Sequence, residues 1–216
     1  EEEFDYPDGN ENKYTTYEGD AGIKLNPLNR FMFAVKERSL KLLVSGNVKS
    51  SSKILINRNI KERVKQIMPY LEYDKSPYMV TVDGKLYWII DAYTYTNRYP
   101  YSEPFSDTSD TNYIRNSVKV IVNAYNGEMK FYITDKNDPI ISAYKKIYPS
   151  MFEENEIPKE IQKQLKYPEL LYNVQAEMLR VYHNVKEDVL YRNSDIWALA
   201  TYGKTNSKIK NTKLEP

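Results

Sequence analysis

The residues of this chain best suited to holding a ligand crowd into one stretch, from Asp91 to Arg115. Asp91 and Tyr93 close an apolar run, and the connection 95–116 then carries Tyr95, Arg98, Tyr99, Tyr101, Asn112, Tyr113 and Arg115. This mixture suits a sugar or a peptide. Aromatic rings stack on the apolar faces of such ligands, while amides, carboxylates and a guanidinium take their hydroxyls and charged ends. A connection this long is uncommon in a compact domain and is usually functional or disordered. Asp91, Tyr93, Tyr99, Tyr101, Asn112 and Arg115 are therefore the candidate ligand-binding residues. A structural alternative uses the same side chains: Tyr99-Pro100-Tyr101 packs the loop onto the sheet, and Arg115 forks onto Asp91 internally. That alternative is the more economical, because tyrosines pack cores and loops more often than they bind ligands.

Other chemistry is poorly provided for. The chain has no cysteine, which excludes disulfides, thiolate catalysis and Cys-ligated zinc. His183 is the single histidine, so any histidine-dependent proton transfer must use it. Its place at the end of a long helix favours a structural cap, where an imidazolium also suits the helix dipole. Seven scattered glycines form no phosphate-binding loop. Asp5, Asp8, Asn10 and Glu11 cluster near the start, and Asp135, Asn137 and Asp138 at a strand–helix junction. Neither spacing matches a calcium loop, so both read as solvated loops, with Asp138 a helix cap. A glycosidase needs two facing carboxylates; Asp91 and Glu177 are the conceivable pair. No catalytic residue, no cofactor and no metal site is assigned.

Balanced charge, 31 basic against 30 acidic residues, gives the whole chain no field for nucleic acid or anionic lipid. Twenty-one tyrosines against six phenylalanines supply aromatic bulk that also carries a hydroxyl, suited to half-wet surfaces and polar grooves. At 216 residues the chain can bury a sizeable core. It holds no apolar run long enough to cross a membrane. It begins at Glu1, without methionine, and both ends read as cuts inside a longer protein.

Strong turn signals set the elements that must position these residues. Asp83-Gly84 predicts a two-residue hairpin that pairs Met79 with Trp88, Val80 with Tyr87 and Thr81 with Leu86. Both its faces are apolar, so it should be central and covered on both sides. Asn126-Gly127 predicts a second hairpin, with Val118, Val120, Val122 and Ala124 lined up with Met129, Phe131 and Ile133. Its other face, with Lys119, Asn123, Glu128 and Lys130, should be wet. Trp88, Val120, Val122 and Phe131 are the expected core. Residues 1–22 read as extended or loop.

Helices flank these strands. Asn26-Pro27 starts one, with Leu28, Phe31, Met32 and Val35 on one face. Ile60, Val64, Ile67, Met68 and Leu71 predict a helix over 58–71 with an irregular last turn at Pro69. Asp138-Pro139 starts another, and Tyr167-Pro168 the longest, with Leu171, Val174, Met178 and Val181 inward. The expected fold is α+β: an antiparallel sheet of two β-hairpins, packed by helices from both flanking segments. It should form a single domain over 1–216, with 204–216 a mobile tail.

Several of these phrases resemble one family. They are Asp5-Tyr6-Pro7-Asp8-Gly9, Pro77-Tyr78 with the run from Asp83 to Thr94, Tyr99-Pro100-Tyr101-Ser102, and the run from Asn112 to Val120. Asp138-Pro139 and Tyr182-His183 fit the same pattern. The family is Uncharacterised Protein Family 0182, large bacterial multi-pass membrane proteins, and the likeness runs from Asp5 to about Trp197. The resemblance implies a piece of the soluble extracytoplasmic region, in a protein of the cell membrane whose own N-terminal membrane helices are its first partners. It implies no reaction. The expected function is binding of an envelope glycan or peptide, or of a partner. The alternatives are an envelope hydrolase using Asp or Glu carboxylates and a structural assembly module.

Overall fold

The computed structural model describes residues 3–15, 17, 19–106 and 108–200, with side chains from Tyr6 onward. The expected tail 204–216 lies outside the described residues. The chain divides into two compact units, Glu1–Arg63 with Ala124–Glu128, and Val64–Asn123 with Met129–Pro216.

The first unit opens with a hairpin, β1 (Glu3–Asp8) and β2 (Glu11–Thr15), turned at Gly9. A two-stranded ladder follows, β3 (Ile23–Lys24) with β4 (Lys53–Ile54). Between its strands lie α1 (Pro27–Lys36) and α2 (Lys41–Val44). Asn26 caps α1 as expected, its Oδ1 accepting from the Asn29 amide at 2.8 Å. The apolar stripe of α1 faces outward: Leu28, Phe31, Met32 and Val35 are exposed, while Phe33 and Ala34 are buried. Arg30 explains this orientation. Its guanidinium donates to the carbonyls of Leu42, Leu43, Ser45 and Val48 at 2.5–3.0 Å, satisfying the open end of α2. The side of α1 that carries Arg30 therefore turns inward.

The second unit is built on one antiparallel sheet. Helix α3 (Ile60–Ile67) leads into it and is shorter than the 58–71 expected. Pro69 ends it, and Met68 and Leu71 are buried beyond its last turn. The strands are β5 (Glu72–Tyr73), β6 (Tyr78–Val82), β7 (Lys85–Thr96), β8 (Tyr113–Asn123) and β9 (Met129–Ile133). The order is β5-β7-β8-β9, with β6 also pairing β7. The predicted register of the first hairpin is the observed one, Met79↔Trp88 and Val80↔Tyr87. In the second the same valines face Met129, Phe131 and Ile133, but the connection runs over 124–128 instead of turning at 126–127 alone, so Val122 pairs Met129, Val120 pairs Phe131 and Ala124 leaves the ladder. Asp83 (φ 49) and Gly84 (φ 71) make the first turn in the left-handed region, which explains the Asp-Gly pair.

Four helices follow: α4 (Pro139–Ile147), α5 (Lys159–Gln162), α6 (Glu169–Tyr182) and α7 (Glu187–Arg192). On one sheet face Val118, Val120, Val122 and Phe131 are buried with Ile90 and Ala92, and α4 packs against β7. On the other, Val80, Ile89, Ile121 and Tyr132 bury against Ile157 and Ile161. Each such side chain contributes about 1.5–3 kcal/mol when fully buried.

Two expectations are corrected. The second hairpin does not have one wet face: Lys119 is buried and Ile121 with it. The segment carrying Ile157 and Ile161 covers that side, and Asp91, directly opposite Lys119, supplies the charge that lets a lysine go inside. Trp88 is half-buried instead of core, and its face neighbours Met79 and Leu86 are exposed. β6 pairs β7 alone, so the first hairpin is not central, and the exposed Met79 and Leu86 leave one of its faces uncovered.

Candidate functional site

The candidate residues part ways around the bulge in β7–β8, where pairing shifts between Ala92 and Thr94. Asp91 lies opposite Lys119, and the two form a nearly fully buried ion pair, with Asn116 Oδ1 also 3.3 Å from Lys119 Nζ. Tyr93 is fully buried and donates its hydroxyl to Asp74 Oδ2 at 2.8 Å. Asp74 also accepts from the Leu170 amide at 3.1 Å, which ties the start of α6 to the sheet. Burial pushes the Asp74 carboxyl above its ordinary range; the bonds from Tyr93 and Leu170 oppose this, and the charges of Asp91 and Glu169 add to it. Burial, then the Asp74 carboxylate, push the Tyr93 hydroxyl upward.

The expected Arg115–Asp91 pair is absent. Arg115 lies beyond the bulge, opposite Thr94, and its Nη1 meets Asp135 Oδ2 at 2.9 Å. Lys119 already occupies Asp91. Arg115 keeps 42% of its side chain exposed and Asp135 33%.

The connection 97–112 is clamped by Asn112. Its side chain donates to the carbonyls of Tyr99 and Ser102, both at 2.9 Å, and accepts from the Tyr99 amide at 3.1 Å. Tyr99 thereby stacks on Tyr113, ring centroids 5.4 Å apart, and the Arg115 guanidinium lies 5.8 Å from the Tyr113 centroid. Tyr99, Tyr113 and Arg115 form one row. Tyr101 stands apart, wholly exposed and at positive φ.

Asp138 anchors this row from below. Fully buried, it accepts from Thr94 and Ser117 hydroxyls at 2.5 Å, from the Tyr113 hydroxyl at 2.9 Å and from the Ile140 amide at 2.9 Å. Burial alone would raise its carboxyl; the donors Ser117, Thr94, Ile140 and Tyr113 outweigh that and hold it below the ordinary carboxylate range. Burial, then Asp138 as acceptor, push the Tyr113 hydroxyl up to about 12.

Beside the row runs a cleft of about 650 Å³ between β8 and the start of α6, lined by Arg115, Asn116, Thr134, Asp135, Tyr167 and Gln175 among others. Lys166 and Tyr167 also border a recess of about 100 Å³ that reaches Asp74 and Asp91, and Asp74 and Glu169 border a further cavity of about 410 Å³. The Lys166 amide donates to the Tyr78 hydroxyl at 3.0 Å. Burial pushes that hydroxyl up to about 12.

Sequence reading placed none of Asp74, Lys166, Tyr167 or Gln175 in a site. Tyr167-Pro168 was legible only as a helix start. The contacts that bring it to the sheet span some ninety residues, such as Leu170 to Asp74 at 96, and no local pattern carries such distances.

The remaining chemistry-bearing residues are held locally. His183 Nδ1 lies 2.9 Å from the Arg180 carbonyl, which places its proton there, and the ring stacks on Trp197 at 3.9 Å. Glu177 pairs with Arg180 on α6, and Asp91 with Lys119. Asp8 pairs with Lys13 at 2.8 Å.

A family model described as Uncharacterised protein family (UPF0182) matches residues 1–216. A UPF0182 protein of Clostridium acetobutylicum is 50% identical over 199 residues, which are 92% of this chain and 22% of that protein. One of Caldicellulosiruptor saccharolyticus is 50% identical over 198 residues, 91% of this chain and 22% of that protein. One of Clostridium tetani is 47% identical over 215 residues, 99% of this chain and 24% of that protein. The chain thus spans about a fifth to a quarter of the length of these relatives. No solved structure matches it.

Proposed function

This chain belongs to the uncharacterised protein family UPF0182, and from that premise we propose that it is a ligand-binding, non-enzymatic part of an extracytoplasmic region in a multi-pass membrane protein. Among the described residues no helix is long and apolar enough to cross a membrane. Membrane helices would then belong to the larger share of the relatives' length that lies outside this chain.

One observation carries the reading. The interior carboxylates are engaged by protein partners, while the cleft walls carry polar side chains that are half-buried or exposed. Asp138 accepts four hydrogen bonds, Asp74 two, and Asp91 is paired with Lys119. A hydrolase needs a carboxyl free to give or take a proton at the substrate. Asp74 is raised as a general acid would be, yet each of its oxygens already accepts a bond from the fold, from Tyr93 and from the Leu170 amide. The cleft instead offers a guanidinium, two amide side chains and a half-exposed tyrosine ring at Tyr167. These suit hydroxyl-rich or peptide-like ligands such as envelope glycan fragments and short peptides.

The test is a thermal-shift screen of the chain against such glycans and peptides, repeated with Arg115→Ala. The Arg115–Asp135 pair is half-exposed to solvent, so the substitution is expected to cost about 1 kcal/mol of stability. Binding of a hit is expected to fall at least about ten-fold, the weight of one charge-assisted hydrogen bond. A hit that binds the Arg115→Ala chain as tightly as the unaltered one would move the site elsewhere.

A further inference from the structure

The near-neutral total charge conceals a local asymmetry. Between residues 24 and 53, Lys24, Arg30, Lys36, Arg38, Lys41, Lys49 and Lys53 are offset by Glu37 alone. Arg30 is spent on the α2 carbonyls and Lys53 donates to the Gly19 carbonyl at 2.7 Å. Lys24, Lys36, Arg38, Lys41 and Lys49 are exposed.

The same segment carries an uncovered apolar surface. Leu28, Phe31, Met32 and Val35 form one stripe along α1, and Leu40 and Val44 stand out on and beside α2. All six are more than half exposed. The inward side of α1 is already committed through Arg30, Phe33 and Ala34, so the stripe cannot close on its own unit by a simple roll of the helix. Lys36 follows Val35 at one end of the stripe, and Lys41 lies within α2.

Apolar side chains standing out from a strongly cationic segment fit an interface that is apolar beneath and anionic above. Amphipathic helices with lysine and arginine beside leucine and phenylalanine sink their apolar face to the boundary of headgroups and acyl chains, and anionic lipids add attraction. A protein partner would need an acidic rim and an apolar centre; a bilayer of anionic lipid provides both without specific shape. We propose that the α1–α2 segment is a membrane-surface contact, in which Leu28, Phe31, Met32 and Val35 enter the outer part of an anionic bilayer and the surrounding lysines meet its headgroups.

The measurement is flotation of the 216-residue chain with vesicles of phosphatidylglycerol and phosphatidylcholine in equal parts, against vesicles of phosphatidylcholine alone. Co-flotation with the anionic vesicles, its loss at high salt, and little binding to the zwitterionic ones are the expected results. Each basic residue near such a surface contributes about five-fold in partitioning. Lys36→Glu, Lys41→Glu and Lys49→Glu together should therefore weaken binding about 100-fold or more. Phe31→Asn with Val35→Asn should abolish it at unchanged charge. All five positions are exposed, and circular dichroism of the variants checks their fold, while the salt arm needs no variant. No flotation with anionic vesicles, equal flotation with both, or flotation indifferent to these substitutions would overturn the proposal. So would concentration-dependent self-association lost in the Phe31→Asn, Val35→Asn chain, without lipid binding, which would assign the stripe to a second copy.

Discussion

Asp138→Ala is expected to cost the sheet-bearing unit about 3–5 kcal/mol. The figure combines the loss of a helix cap, about 1 kcal/mol, with buried donors left without an acceptor, about 1–3 kcal/mol each. Thr94 and Ser117 are both fully buried and lose their shared acceptor; their hydroxyls, 3.3 Å apart, recover only one bond between them. Tyr113 is half-buried and finds water. Asp138→Asn keeps the cap and most of the shape but loses the charge that strengthens each bond, and should cost less than the alanine change. Acidity provides a second readout. The folded-state carboxyl lies below its ordinary value. Its contribution is therefore complete above the unfolded carboxylate pKa, near 4, and is lost as pH falls through the lower folded value. Urea midpoints measured from pH 7 downward should show the unaltered chain losing this component and Asp138→Asn lacking it. Equal acid sensitivity in both chains would remove Asp138 from the account.

Removing one side of the Asp91–Lys119 pair is the other large expected effect. Both side chains are almost entirely buried and face each other across β7 and β8. Lys119→Ala leaves a carboxylate in the interior with no counter-charge, a change that costs about 3–5 kcal/mol where it has been measured in buried pairs. Replacing both, Asp91→Leu with Lys119→Met, removes the desolvation cost along with the attraction. It should recover most of that loss or exceed the original stability. Guanidinium denaturation of the single and double variants separates the cases. A double variant as unstable as Lys119→Ala would mean that shape at these positions, and not charge, decides.

The hairpins were the legible part of the fold. Asp-Gly at 83–84 specifies turn and register within a few residues of one another, and the observed pairs follow; the alternation of Val118, Val120 and Val122 gives their shared face, while the connection 124–128 is longer than Asn126-Gly127 implies. Asn26 and Asp138 were legible as caps for the same reason. Lys119 was misread because alternation reports polarity and not what lies above a face; Asp91 and Ile157 decide that from 28 and 38 residues away. The expected Arg115–Asp91 pair fails because the β7–β8 register sets Lys119 opposite Asp91 and Arg115 opposite Thr94, and no turn residue announces that register. Of the site, sequence located the loop residues around Arg115 but not the opposite wall, Tyr167 and Gln175, whose approach is a property of the closed fold.

The long reach of residues 164–170 has a consequence for how the chain is made. Gln164 bonds the Thr81 backbone through both ends of its amide, Lys166 bonds Tyr78, and Leu170 bonds Asp74. A ribosome releases the sheet before any of these partners. A sheet that forms in that interval leaves Val80, Ile89, Ile121 and Tyr132 bare until Ile157 and Ile161 arrive. Non-local closure is slow and exposed apolar sheet faces are sticky. That face is an aggregation liability for as long as the segment carrying Ile157 and Ile161 is not in place.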